Sequence, residues 1–372
     1  MAALKTEELI INMGPQHPST HGVLRLEVTT DGEMLSYVRP HIGYLHRCFE
    51  KHAENVDYMG VMPFVDRMDY VASMYNDFVY AMAVEKLMSI EVPERAQYIR
   101  VITGELQRIA SHLLAVGTYG LDVGTFTPFM WCFRDREKIL DIFEMICGAR
   151  LLYNYMYIGG VSKDLTIGMI EKIKEFCEYF GPKIDELDVV LTYNQIFIDR
   201  TAHVGIIPLD TAIQYALTGP NLRGSGKKWD LRKDETYSIY NRFEFDVPVG
   251  TGVQGSVGDC WDRYWVRVQE MRESLKIVKQ AVSSIPEGLF RADLPRVLKP
   301  PVGEVYFRGE APRGELGFYI ISDGSPKPFR VKGRSPCFAA VSVLSEIIPG
   351  NPMADAVAIL GSIDIVLGEV DR

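Results

Sequence analysis

Two histidines, His17 and His21, stand four residues apart in the segment MGPQHPSTHGVLRL, residues 13–26. On a helix that spacing would set two imidazoles on one face as metal ligands, but Gly14, Pro15, Pro18 and Gly22 exclude a helix. What remains is a stiff loop that leads into a strand and presents a histidine at a fixed place. For a lone loop histidine, a structural hydrogen bond is the commoner role and proton transfer the rarer one. The six cysteines, Cys48, Cys132, Cys147, Cys177, Cys260 and Cys337, are scattered and form no Cys-x-x-Cys pair. Zinc or an iron-sulfur cluster held by this chain alone is therefore not expected, and the cysteines read as ordinary buried thiols. The GSG at residues 224–226 lacks the spacing of a phosphate loop or a dinucleotide fingerprint. His112 flanks the apolar stripe of a helix; a structural hydrogen bond is the simpler reading and a second proton carrier the other.

The elements that must position such residues follow from periodicity. Residues 24–38 alternate as a half-buried hairpin does, with Leu24, Leu26 and Val28 opposed to Arg25 and Glu27, and Asp31-Gly32 at the turn. From about residue 50 to 285 the period becomes helical. The clearest stripe is Ile99, Ile102, Leu106, Ile109 and Leu113; others are Val71, Met74, Phe78 and Met82, stopped by Pro93, and Tyr264 to Val282, stopped by Pro286. Strand signatures return at 303–307, 316–322 and 329–332, with a short helix from about Phe338. The expected fold is α+β: a β-hairpin and loop over 1–48, a helical core over 49–290, and a β-rich segment and tail over 291–372. A Gly-, Asn-, Asp- and Pro-rich stretch at 218–258 is too long for a simple connection and reads as an interfacial loop.

Composition bounds the function. At 372 residues, 47% hydrophobic and 24% charged, the chain can build a sizeable core. A net charge of −9 disfavours nonspecific attraction to nucleic acid. No apolar run approaches the roughly 18 residues that a bilayer crossing needs, and the first residues do not read as a secretory signal. A cytosolic setting is expected.

The loop motif is joined by PHIGYLHR (40–47), DRMDY (66–70), ELQRIASHLLAVGTYGLDVGTFTPF (105–129), LTGPNLRGSG (217–226), FDVPVG (245–250), DRYWVRVQEMRES (262–274), RGELGFYIISDG (313–324) and SIDIVLGEVDR (362–372). Together, in this order, they resemble the D subunit, the quinone-site component of bacterial-type NADH:quinone oxidoreductase, respiratory complex I. The resemblance covers nearly the whole chain. It implies a fold like the large subunit of nickel-iron hydrogenases, whose nickel is held by two Cys-x-x-Cys pairs. Laid on residues 364–372, the C-terminal cysteine positions fall on Val366 and Glu369, so nickel chemistry is excluded and the cavity is left for another ligand.

The resemblance implies that this ligand is a quinone, ubiquinone or menaquinone, reduced by electrons from an iron-sulfur cluster in a neighbouring subunit, with NADH bound elsewhere. It further implies that His21 and Tyr70 donate protons to the quinone oxygens and that Asp122 pairs with His21. Read alone, Asp122 would be a helix-end residue and Tyr70 a residue that packs its ring. Arg47 and Arg67 match arginines lying toward the cluster and the cavity; on their own they read as solvated or ion-paired. The implied partners are the iron-sulfur (B) subunit, the C subunit and the membrane (H) subunit at the quinone entrance. The implied place is the cytoplasmic side of the membrane, within a proton-translocating complex. Leu152 stands where many relatives carry a histidine near the cluster, which suggests a lower cluster potential with little pH dependence and suits a low-potential quinone such as menaquinone. A helical stretch that many relatives carry before Gly303 is missing. The competing reading is a docking subunit of a related membrane-bound assembly fed by ferredoxin or another donor, its pocket degraded.

Overall fold

The stripe from Ile99 to Leu113 is one face of a 29-residue helix, Glu94–Asp122, and each stripe residue is at most 2% exposed. Pro93 is its N-cap and Glu94 lies in its first turn, where a negative charge complements the helix dipole. The preceding helix, Ser73–Met88, ends earlier than the proline rule predicts, because Ser89 turns into the left-handed region. The computed structural model describes residues 8–16 and 21–372, and this long helix is its axis. Against it pack the helices Phe126–Cys147 and Cys260–Ser284, the second carrying the buried row from Tyr264 to Val282.

The N-terminal hairpin is present, Arg25–Asp31 paired with Met34–His41, with Leu26 and Val28 buried. It gains a third strand, Glu8–Met13, whose residues 8–13 register against 31–26. One edge is tied to the C-terminal region by Leu35 N–H to the Asn351 carbonyl and Met353 N–H to the Glu33 carbonyl. The C-terminal strands run longer than expected, as Gly303–Ala311, Gly314–Ser322 and Arg330–Arg334 in one antiparallel sheet packed on the Ser73–Met88 helix.

Two expectations are refined. The short helix expected from about Phe338 is present as Pro336–Ser342, and helices Leu344–Ile347, Met353–Ser362 and Leu367–Asp371 follow it through what read as a tail, whose last eleven residues are almost wholly buried. The cause is apolar density, since runs such as Ala356–Leu360 need more cover than a surface tail offers. The stretch 218–258 is not simply a loop over the surface. It contains the short helices Gly219–Gly224 and Leu231–Asp234, and it inserts Arg223 and Arg232 into the interior. Arg223 pairs with Glu270 and Glu310 at 2.7 Å each, and Arg232 pairs with Asp230 at 2.7 Å and Glu105 at 3.1 Å. Burial pushes the Glu105 carboxyl up, but Arg108 and Arg232 more than offset it and hold it at about 2. Such a network is costly to break, because removing one partner strands a buried charge; it clamps the stretch to the core. The cysteines are also not uniformly interior, for Cys48 is exposed.

Candidate functional site

The long helix stops at Asp122, where Gly124 takes a positive φ and Thr125 N–H closes back on the Gly120 carbonyl. That stop leaves the Asp122 side chain, 1% exposed, facing the loop that precedes the second strand. His21 arrives from that loop in the left-handed region, and its Nε2 lies 2.6 Å from Asp122 Oδ2. A carboxylate at this distance fixes the ring's orientation and neutralises an imidazolium when one forms. His17, the other half of the expected pair, lies outside the described residues. The pair has room for little else: a Cβ on Gly361, in the helix Met353–Ser362, would come within 2.3 Å of Asp122 Oδ2 and 3.2 Å of His21 Nε2.

His21 and Asp122 open onto a cavity of about 400 Å³. The long helix lines it with Leu114, Thr118 and Leu121, the next helix with Phe129, and the C-terminal stretch with Asp364, Ile365 and Val366. Tyr70 and Val71 enter from a turn just before the Ser73–Met88 helix. Tyr70 is 38% exposed, and among the described residues its hydroxyl has no hydrogen-bond partner. Its ring rests on the backbone of Gly368, where a Cβ would lie 3.3 Å from Cε1. Burial and the neighbouring Asp69 raise the phenol above its ordinary value, with Arg313 opposing. The group is thus a neutral proton donor across the physiological range.

Arg313, which the sequence did not single out, organises the floor of the cavity. Its guanidinium donates to Asp69 Oδ2 at 2.8 Å, to Ser111 Oγ at 3.1 Å, and to the carbonyl and Oδ1 of Asp364 at 3.0 and 3.1 Å. Arg313 opens RGELGFYIISDG, Asp69 stands next to Tyr70 in DRMDY, and Asp364 lies in SIDIVLGEVDR, so all three lay inside segments already singled out. Gly361 carried no signal of its own.

Arg47 and Arg67 are not in the cavity wall. Arg47 donates to the Arg67 carbonyl at 2.6 Å, and Arg67 donates to the Pro63 carbonyl at 2.8 Å, with Asp66 Oδ2 3.7 Å away. The two arginines sit together at the surface. His112 is fully buried, 2.9 Å from Glu270, and burial lowers its pKa; it lies outside the cavity lining and is a structural partner of Glu270. Among the described residues no group of three or more His, Cys, Asp or Glu side chains is placed to hold a metal ion, and no helix is long and apolar enough to cross a membrane.

Behind Arg67 lies a carboxyl pair. Burial pushes Asp66 up to about 6, and it pushes Asp77 well above the carboxylate range, with Asp66 adding to that rise. No salt bridge reaches Asp77 among the described residues, and burial outweighs the Tyr155 amide and Arg67, so the pair keeps a proton. A folded-state pKa above the unfolded value near 4 means that stability is full at low pH and falls as pH climbs toward about 6. Asp66→Asn, which removes the carboxyl that burial has raised to about 6, should reduce that fall. Thermal-inactivation midpoints near pH 5 and near pH 7 should differ in the wild type by the equivalent of roughly 1–3 kcal/mol, and much less in the variant; equal differences would remove the pair from this role.

Comparison with known proteins agrees with the motif series. The family described as respiratory-chain NADH dehydrogenase, 49 Kd subunit, matches residues 122–301 and 296–372. The chain is 55% identical over 373 aligned positions to the D subunit of NADH-quinone oxidoreductase from Chlorobaculum parvum, covering 99% of this chain and 93% of the relative. It is 56% identical to the protein of that name from Pelodictyon phaeoclathratiforme and 54% to that from Chlorobaculum tepidum, each with the same coverage. A cavity with a His–Asp pair at one wall and an unpartnered phenol at another therefore stands in a chain that belongs to the family of the 49 kDa, or D, subunit of respiratory NADH dehydrogenase.

Proposed function

We propose that this chain forms the quinone-headgroup pocket of a proton-translocating NADH:quinone oxidoreductase and supplies the protons that turn quinone into quinol. The observation that carries the reading is the pairing of two distinct proton donors, Tyr70 and His21, on the walls of one otherwise largely apolar cavity. Reduction of a quinone adds two electrons and two protons, and an anionic oxygen in a dry pocket is costly unless a donor stands at each carbonyl. Tyr70 serves one oxygen, and no hydrogen bond to its hydroxyl competes within the described residues. His21 serves the other, and Asp122 holds the ring and balances its charge. Val71, Leu114, Leu121, Phe129 and Val366 exclude water and pack the ring.

The six cysteines are dispersed and mostly buried singly. The electrons must accordingly come from outside this chain, from an iron-sulfur cluster in a neighbouring subunit. In this reading the iron-sulfur (B) subunit covers the surface that carries Arg47 and Arg67, the C subunit adjoins this chain, and the membrane (H) subunit meets the cavity mouth, with the whole on the cytoplasmic side of the membrane. Val366 and Glu369 occupy the places of hydrogenase cysteine ligands, with Val366 in the cavity wall, so the quinone takes over a former metal pocket. The His21–Asp122 pair and the open cavity count against a chain kept only for docking.

The test is occupancy. A photoreactive quinone analogue added to the assembled complex should label peptides containing Tyr70–Val71, Phe129 or residues 364–366. Val366→Trp, which fills the cavity, should abolish the label and raise KM for quinone by about 10-fold or more, while electron transfer from NADH to a hydrophilic artificial acceptor persists. Unchanged labelling and KM in that variant would place the quinone elsewhere.

A further inference from the structure

One turn behind Val366, a carboxyl group that the mechanism has not used lies fully inside the protein. Glu369, in the short helix Leu367–Asp371, is 1% exposed, and neither of its oxygens reaches a donor in hydrogen-bonding geometry among the described residues. The groups that face it are few. Cys337, from the helix Pro336–Ser342, brings its thiol and amide closest. Asp69 and Arg313 act on it from the turn beside Tyr70 and from the hairpin at residues 311–314. Its own helix adds Asp371, engaged by the Gly43 and Leu45 amides, and Arg372, bonded to the Gly333 carbonyl. Asp364 opens the same stretch and is bound by Arg313.

Counting charges shows why this acid is distinctive. Three buried carboxyls, Asp69, Asp364 and Glu369, share the Arg313 guanidinium, with Arg267 reaching only Asp364, at 3.7 Å. Arg313 is bonded to Asp69 and Asp364, and Asp69 has the Val71 amide as well, at 3.1 Å. Glu369 is the member with no cation bonded to it and only the Cys337 thiol and amide beside it, so it holds the proton. Burial, then Asp69, raise it to about 7. It lies beside the site through shared neighbours: the Tyr70 ring packs on Gly368, the residue before it, and Asp69, Arg313 and Cys337 act on both Tyr70 and Glu369.

We propose that Glu369 is the proton store for Tyr70, a buried carboxylic acid that restores the phenol after its proton has passed to quinone. The inference rests on the quinone reading of the cavity. In the first transfer the phenol O–H breaks and a quinol O–H forms, leaving a phenolate. In the second the Glu369 O–H breaks and the phenol O–H re-forms, leaving a carboxylate that Arg313 offsets. Glu369 then regains a proton from solvent, and no electron passes through it. It is a positioning residue for the reaction, acting through Tyr70.

Redox-induced infrared difference spectra of the assembled complex test this. The wild type should lose a carboxylic C=O band, shifted in heavy water, while quinone turns over, and Glu369→Gln should lack that band. Turnover with quinone should fall about 10-fold in Glu369→Gln, and the wild-type decline as pH rises through about 7 should disappear. KM for quinone and the rate with a hydrophilic artificial acceptor should stay unchanged, the second reporting intact assembly. Glu369→Asp should recover part of the rate. A Glu369→Gln complex that keeps the band and the wild-type pH profile overturns the proposal. Failure of the quinone reading would show differently, as a Val366→Trp complex with unchanged labelling.

Discussion

Tyr70→Phe should lower quinone turnover by roughly 10²–10⁴-fold, the range lost with a positioned proton donor, and leave electron transfer from NADH to an artificial acceptor near the wild-type rate. The substitution is unusually clean. Phenylalanine keeps the ring on Gly368, and the hydroxyl it removes has no partner among the described residues, so no buried group is orphaned. Stability should change little, and the loss should fall on kcat more than on KM, since apolar contacts hold the ligand in both proteins. His21→Ala should be comparably inactive, for a separate reason: the second oxygen loses its donor, and the bond between that donor and the Asp122 carboxylate goes with it. Neither donor can cover for the other, because they come from segments on different walls. Steady-state rates with both acceptors decide the matter, and substantial quinone reduction in both variants would remove the two residues from proton delivery.

How far the sequence reached differs from element to element. The stripe from Ile99 to Leu113 predicted its helix because five residues at helical spacing repeat one physical demand. The stops were less legible: Ser89 ends a helix by adopting a left-handed backbone that nothing in its side chain announces. The helices that follow Phe338 were legible only as one short helix and a tail, because short apolar runs buried on all sides lose the period that marks an element. The site divides the same way. His21, Tyr70 and Asp122 lie 49 and 52 residues apart along the chain, and only the resemblance joined them; the cavity brings all three to its walls. Arg313 and Asp69 went unassigned because an arginine and an aspartate in a motif look like solvated charges until folding removes the solvent. Arg47 and Arg67, which the resemblance sets toward a neighbouring cluster and the cavity, stand together at the surface and outside the cavity wall.

Gly361→Ala should separate His21 from Asp122 without unfolding the chain. Gly361 is helical, and alanine is the better helix former by about 1 kcal/mol, so the backbone gains rather than loses. The new Cβ, however, would stand 2.3 Å from Asp122 Oδ2, 2.9 Å from Tyr119 Cδ2 and 3.2 Å from His21 Nε2. The Tyr119 ring is packed between Phe197 and Tyr264 and cannot retreat cheaply. The carboxylate can rotate, and when it does the 2.6 Å contact with His21 is lost. The expected outcome is an assembled complex with quinone turnover reduced about 10- to 100-fold, the loss typical when a group that orients a functional histidine is removed. The decisive comparison is a double-mutant cycle with Asp122→Asn. If both substitutions act by undoing one bond, the double variant should be no slower than Asp122→Asn alone, whereas independent effects would multiply. Multiplied losses would mean that the methyl group disturbs the cavity by another route, and the His21–Asp122 bond would then not be what Gly361 protects.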